Sequence, residues 1–264
     1  MNVHPTARKF DGVADVYDRV RPGYPDEAVA WLLERLGHTV LDLAAGTGKL
    51  TRALARAGAD VAAPTARALD GRPRCGLGDR LIAVEPSEPM LERLRVTLPE
   101  VEALVGSAEE IPLGEESVDA VTVAQAFHWF DHPRALAEIH RVLRPDGRFA
   151  IVWNTRDLDA PAHAFMEQLV LPHKHATPRS RELDSRAVMA ASDLFEPFAE
   201  AEFRHEQQLP PGGLADRVAS TSYIAALPDG ERAAVLAEAE RYETELGRPV
   251  VLPHTAELLV YARR

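Results

Sequence analysis

Of 264 residues only one, Cys75, is a cysteine, so neither an internal disulfide framework nor a cysteine-based zinc cluster can form. Redox chemistry thus leaves the compartment open and compatible with the cytoplasm. Long apolar runs are missing too. Nothing approaches the roughly 20 residues that cross a bilayer, and the opening MNVHPTARKF has no apolar signal-peptide stretch. A soluble cytoplasmic protein without a membrane partner is expected. Positive charge is the third shortage. Lys and Arg total 30 against 41 Asp and Glu, a formal charge of -11. That field repels phosphate backbones, and the arginines form no stripe interleaved with aromatics, so nucleic acid is not an expected partner. Internal repeats and low-complexity segments are absent as well.

What is present suffices for one large α/β domain: 46% of residues are hydrophobic. The chain is organised around residues 40–51, VLDLAAGTGKLT. An apolar run ends in an acid, small residues follow, and the sequence becomes helix-permissive. That is a strand, a tight turn and a helix start. Gly46 and Gly48 remove Cβ atoms that would hold a ligand off the backbone, and the helix start offers free N–H groups. A small, polar, nucleotide-like ligand is expected on the turn.

Ahead of it, Phe10, Tyr17, Arg21 and Tyr24 precede a helix signal. Pro25, Asp26 and Glu27 suit a first turn, and Val29, Leu32, Leu33 and Leu36 repeat at helical spacing. Residues 1–36 read either as a lid, with Arg21 or Tyr17 holding a carboxylate, or as a segment that pins the N-terminus. A helix from Lys49 should end near Gly58. Residues 62–80 then lack periodicity and carry Arg67, Arg72, Arg74 and Arg80, which reads as an inserted surface loop, a lid or an oligomer contact. Glu85 lies 37 positions after Gly48, against about 20 in dinucleotide-binding units.

Apolar strands are expected at residues 81–85, 101–106, 120–126 and 148–153. Between them fall a helix capped by Ser87 and one starting near Pro133. The alternation argues for a doubly wound, mostly parallel sheet with helices on both faces, binding its ligand at the carboxyl ends of the strands. Beyond Asn154 the pattern lapses. Helices are expected at 160–170 and 228–247, a strand at 199–208 and a last strand in ELLVYAR.

The acid at Asp42 discriminates between ligands. A pyrophosphate would be repelled by it, whereas a ligand bearing ammonium and sulfonium groups is attracted. Glu85 ends the next strand, where a carboxylate can accept from both hydroxyls of a ribose. G-x-G-x-x-G is absent.

These features resemble the class I S-adenosylmethionine-dependent methyltransferases. The resemblance covers nearly the whole chain and rests on VLDLAAGTGKLT, AVEPSEPML, GSAEEIPL, AVTVAQAFHWFD and RVLRPDGRFAIVWN. FDGVADVYDRVRPGYP and SYIAALP look like the small-molecule branch that includes trans-aconitate methyltransferase-like proteins and the methyltransferase type 11 domain. The resemblance implies a seven-stranded sheet with an antiparallel last strand, in a single domain. Residues 37–154 would form the cofactor-binding core and residues 155–264 the substrate side. S-adenosyl-L-methionine would be the cofactor. Tyr17, Arg21, Asp42, Ala44, Gly46, Gly48, Glu85 and Pro86 would bind it, with Ser107, Ala108 and Glu109 at the adenine and Ala124 and Gln125 at the amino group. Ala44 stands where the family commonly has glycine, tolerable if φ is negative there. Ser107 replaces a frequent Asp.

His128, in AFHWF, lies just past a strand end and is the candidate general base or a pocket-wall residue. Tyr24, Trp129, Asn154, Arg156 and Tyr223 are candidates for contacting substrate. Trp129, Trp153 and Tyr223 line an aromatic pocket or fill core, and Arg21 or Arg156 would clamp a carboxylate. His173 and His175 have a metal-like spacing with His163 upstream, but no compelling third ligand accompanies them, so no metal is expected. The resulting expectation is methyl transfer to O or N of a small molecule, such as a carboxylate or secondary metabolite, by a monomer or homodimer. An NAD-dependent oxidoreductase and a non-catalytic S-adenosylmethionine-binding regulatory or assembly protein are the alternatives.

Overall fold

The structure, a computed structural model, describes residues 19–62, 80–173 and 184–264. Phe10, Tyr17, Arg67, Arg72, Arg74, His175 and nearly all of the 62–80 segment lie outside the described residues, and with them the expectations placed on these positions.

The first strand, β1 (Thr39–Leu43), is buried along its whole length. It is paired in parallel with β2 (Arg80–Glu85) and β4 (Val118–Ala124). With β3 (Glu102–Val105), β5 (Leu143–Arg156), β6 (Phe195–Gln208) and β7 (Val251–Arg263) they form one seven-stranded sheet of order β3-β2-β1-β4-β5-β7-β6. The strands β2–β3 and β4–β5 also pair in parallel, and β7 runs antiparallel to both β5 and β6. The expected doubly wound sheet with an antiparallel last strand is therefore present.

Strand alternation sends successive side chains to opposite cores. Phe149, Ile151 and Trp153 of β5 face α4 (His132–Val142) and Met189 of α6 (Ser185–Ala190). Ala150 and Val152 face α1 (Asp26–Leu36) and α2 (Lys49–Ala62). The helix α3 (Glu88–Thr97) packs Leu94 against Ala83 of β2. In α1, Val29, Leu32, Leu33 and Leu36 are all buried, each contributing roughly 2 kcal/mol by leaving water.

Several boundaries differ from the sequence reading. The helix α2 continues through Gly58 to Ala62. A single interior glycine costs only about 1 kcal/mol, and burial of Leu50 and Leu54 offsets it. Ser87 occupies an N-cap position without a side-chain cap bond. Strand β4 stops at Ala124 because Gln125 takes φ 60. Arg80, expected in the loop, begins β2, and its Nε donates to Glu102 of β3 at 2.8 Å.

A third apolar cluster forms a cap beyond the carboxyl ends of the strands. It joins α5 (Pro161–Val170), α7 (Gly213–Ala219), α8 (Ser222–Ala225) and α9 (Asp229–Leu246). The β6–β7 ladder runs without a loop from Phe195↔Arg263 to Gln208↔Val251, so α7, α8 and α9 are spliced in at one paired position. Residues 19–24 lash across this cap. Arg19 pairs with Asp216, the Val20 carbonyl accepts from Gln207, Arg21 donates to the Ser220 carbonyl, and the Gly23 carbonyl accepts from Asn154.

Candidate functional site

The turn after β1 carries positive φ at Ala44 (56), Gly46 (59) and Gly48 (83). The condition set on Ala44 is thus not met: it adopts a left-handed conformation, which costs an L-residue roughly 1–2 kcal/mol. The two glycines have different reasons. Among the described residues a Cβ at Gly46 would meet only Met90 Sδ, at 3.9 Å, and they leave that side of the turn open. A Cβ at Gly48 would come within 3.0 Å of Leu94 Cγ, so Gly48 serves close packing of α3, not approach of a ligand.

Asp42 sits beneath the turn, 1% exposed. Its Oδ2 accepts from Thr51 Oγ1 at 2.5 Å and its Oδ1 from Thr122 Oγ1 at 3.0 Å. Those hydroxyls, on α2 and β4, tie the acid to both neighbours of the turn. Sequence reading missed them, because only the fold brings Thr122 beside residue 42. Burial pushes the Asp42 carboxyl from 3.8 up to about 6, and the bonds from the Thr51 and Thr122 hydroxyls and the Thr51 main chain only partly oppose it. The site therefore holds a carboxylate whose charge is under-compensated, and a cation nearby would settle it.

Glu85, at the end of β2, reaches over the same turn. Its Oε2 accepts from the Gly46 N–H at 2.9 Å and its Oε1 from the Ser87 N–H, just past Pro86, at 3.0 Å. Beyond β3, Ser107 and Ala108 are buried, and Glu109 Oε1 accepts from the Asp131 N–H at 3.0 Å. That bond joins the loop after β3 to the turn after β4. A Cβ at Gly106 would collide with Pro112 Cδ at 2.6 Å, which explains a glycine there.

At the end of β4, Gln125 is the second non-glycine residue at a strand terminus with left-handed φ, held by its N–H to the Val152 carbonyl at 3.0 Å. Its Nε2 is buried without a hydrogen-bond partner among the described residues. A 3-10 turn, Phe127–Trp129, follows. Phe127 is core, while His128 lies against Trp129 and Trp153, ring centroids 4.6 and 5.6 Å away. Trp153 is 7% exposed, and its Nε1 donates to Ser185 Oγ at 3.2 Å, so it is a wall of the site continuous with the core. Burial, helped by His132, lowers the His128 pKa to about 4, and its Nδ1 has no hydrogen-bond partner among the described residues. His128 is therefore neutral at pH 7 and a weak proton acceptor.

Asp42, Ala44, Gly46, Gly48, Glu85, Pro86, Ser107, Ala108, Glu109, Ala124, Gln125, His128 and Trp129 thus gather at or just beyond the carboxyl ends of β1 to β4. The remaining sequence candidates are engaged elsewhere. Asn154 donates through Nδ2 to the Gly23 carbonyl, and its Oδ1 bonds His205 Nε2 at 2.8 Å. Both ends of that amide are structural. Arg156 is paired with Glu167 at 3.1 Å. Tyr223 packs into the cap cluster and Tyr24 against α1's core. Arg21 binds the Ser220 carbonyl at 2.6 Å.

A buried histidine layer under the cap was not legible from sequence. His163 and His254 meet edge to face at 4.9 Å, and His205 stacks on His254 at 5.5 Å. His163 Nε2 bonds the Pro253 carbonyl and His254 Nδ1 the Leu252 carbonyl. Burial, with Arg156 and Arg217 nearby, lowers His163 to about 4. Among the described residues no group of three or more His, Cys, Asp or Glu is arranged to hold a metal ion. No helix among them is long and apolar enough to cross a membrane.

Comparison with known proteins accords with this geometry. A family described as a methyltransferase domain matches residues 60–151. An uncharacterized methyltransferase of Mycobacterium tuberculosis is 42% identical over 223 residues, covering 83% of this chain and 79% of that protein. The 2-phytyl-1,4-naphtoquinone methyltransferase of Thermosynechococcus vestitus is 30% identical over 171 residues, covering 60% and 67%. Among solved structures, a putative type II methyltransferase from Anaeromyxobacter dehalogenans superposes with a TM-score of 0.63 at 25% identity, covering 92% of this chain and 97% of that one. With its sheet order, its antiparallel β7 and these relatives, the chain belongs to the class I methyltransferases, whose methyl donor is S-adenosylmethionine.

Proposed function

We propose that the chain transfers a methyl group from S-adenosylmethionine to an oxygen or nitrogen of a small molecule bound between the end of β4 and the cap. The observation that carries this is Asp42, a buried carboxylate short of positive charge beneath an open glycine turn. Three features fit the donor. Gly46 leaves room for close approach, Asp42 favours a cation from below without touching it, and Glu85 sets a carboxylate at the end of β2 over the same turn, the group that accepts from hydroxyls. Ser107, Ala108 and Glu109 line the side where the adenine would lie. Ala124 and Gln125 offer main-chain carbonyls for the amino group.

When bound, S-adenosylmethionine supplies a methyl group on a sulfonium, which carries the driving force. The protein's own share is to orient the acceptor in line and exclude water, which is where most of the rate enhancement would arise. His128, neutral and with a pKa near 4, accepts a hydrogen bond well but holds a proton poorly. It therefore suits acceptors that ionise readily, such as carboxylic acids or acidic hydroxyls, better than aliphatic alcohols.

Calorimetry with S-adenosylmethionine and with NAD is the first test. Binding of S-adenosylmethionine alone is expected, and NAD binding in its place would overturn the reading. Transfer of labelled methyl to a panel of carboxylic acids, phenols and amines then tests turnover. Binding without transfer to any would favour a regulatory role. The similarity to a naphthoquinone methyltransferase is reason to include hydroxylated rings, with the product analysed for carbon methylation.

A further inference from the structure

Two side-chain atoms at the end of β4 are at odds with ordinary folding economy. Gln125 combines a left-handed backbone conformation with a buried amide nitrogen that bonds nothing among the described residues. Asparagine or glycine would meet the backbone demand more readily, so the structure alone gives no reason for glutamine. One turn later, His128 Nδ1 is also buried and, among the described residues, unpartnered. Natural proteins keep few such groups, and an unsatisfied one calls for an explanation.

The chemistry of the pair is complementary. An amide Nε2 can only donate. A neutral imidazole nitrogen can accept, and His128 is neutral because it is buried beside His132. A hydroxyl group needs both partners: its oxygen accepts one hydrogen bond and its hydrogen is donated in another. The flanking wall is aromatic, with Trp129 and Trp153 against the imidazole at tilts of 41° and 38°. Such a wall suits a flat ring.

Resting on the proposed methyl transfer, we infer that Gln125 Nε2 and His128 Nδ1 together read a hydroxyl group on a planar, ring-bearing acceptor, and so determine acceptor specificity. Gln125 donates to the hydroxyl oxygen and His128 accepts the hydroxyl hydrogen. The cofactor reading uses only the main chain at residue 125, so the side chain remains available for this task.

The test is calorimetry of 1-naphthol and of naphthalene, each titrated into the full chain saturated with S-adenosylhomocysteine. The natural protein should bind 1-naphthol about ten-fold or more tightly than naphthalene, the scale of a buried hydrogen-bonded polar group. Gln125→Leu should erase that preference by weakening 1-naphthol about ten-fold while leaving naphthalene unchanged. Gln125→Asn, which keeps the donor and tolerates the backbone, should retain part of it, and His128→Phe should lose it. Equal affinity for the two ligands in the natural protein overturns the inference, as does a preference that survives in Gln125→Leu. Loss of S-adenosylhomocysteine binding in Gln125→Leu would also overturn it, by placing that side chain at the cofactor. Failure of the natural protein to bind S-adenosylhomocysteine would instead sink the underlying functional reading, so the two failures are distinct.

Discussion

Replacing Asp42 by asparagine should make the ligand-free protein more stable at neutral pH and worse at holding its cofactor. Burial raises this carboxyl from 3.8 to about 6. At about 1.36 kcal/mol per pKa unit, the folded state carries about 3 kcal/mol of penalty whenever Asp42 is ionised. A carboxyl raised in the folded state contributes stability that is present below pH 3.8 and lost as pH rises through about 6. Above that pH the whole penalty applies. Asparagine keeps the shape and can still exchange hydrogen bonds with Thr51 and Thr122, but has no charge to bury. Urea unfolding at pH 7.5 without ligand should therefore show Asp42→Asn more stable by about 1–3 kcal/mol, with the gap closing towards pH 4. Calorimetry should show S-adenosylmethionine affinity reduced about ten-fold or more, because the favourable charge beneath the turn is gone. If the variant is less stable at pH 7.5, or if its difference from the natural protein does not vary with pH, the charge is already compensated and the reasoning fails.

Ala44→Gly should stabilise the fold by about 0.5–1 kcal/mol in urea melts, since relief of left-handed strain exceeds the extra freedom glycine adds to the unfolded chain. Gly48→Ala should destabilise by about 2 kcal/mol through its φ of 83 and a contact with Leu94 at 3.0 Å. Gly46→Ala, with only Met90 Sδ near its Cβ, should cost less in the same melts. Acid should loosen the cap. His163 is depressed from 6.5 to about 4, so stability present above pH 6.5 is lost as pH falls through that window. The loss amounts to about 3 kcal/mol for this group. A pH series of thermal melts should show a shallower acid slope for His163→Gln; an unchanged slope would mean that the histidine layer takes up no proton penalty.

The framework was readable because its signals are local. Apolar strands ending in Asp42 and Glu85, and a glycine turn opening a helix, announce their positions through neighbours in sequence. What escaped depends on partners far apart along the chain. Asp42 is locked by Thr122, 80 residues away. Gly48 and Gly46 read alike in sequence, yet one faces Leu94 and the other open space. Asn154 stood at a strand end where substrate contact was plausible, but Gly23 and His205 claim both ends of its amide. His163 was noted beside a metal-like spacing, while its real neighbour, His254, comes from β7. Helix α2 outran Gly58 because tertiary burial outweighed a local breaker.

The splice between β6 and β7 has an evolutionary consequence. Because Gln208 and Val251 face each other across the ladder, everything between them emerges from and returns to one rung. Such an arrangement is a natural graft site: the intervening helices can be lengthened, traded or rebuilt without shifting the register of any strand that frames the glycine turn. Residues 209–250 can therefore diverge among descendants of this chain while the strands that frame the turn stay as they are, and a chimera exchanging only those residues separates the cap's share of the proposed acceptor preference from that of Gln125 and His128.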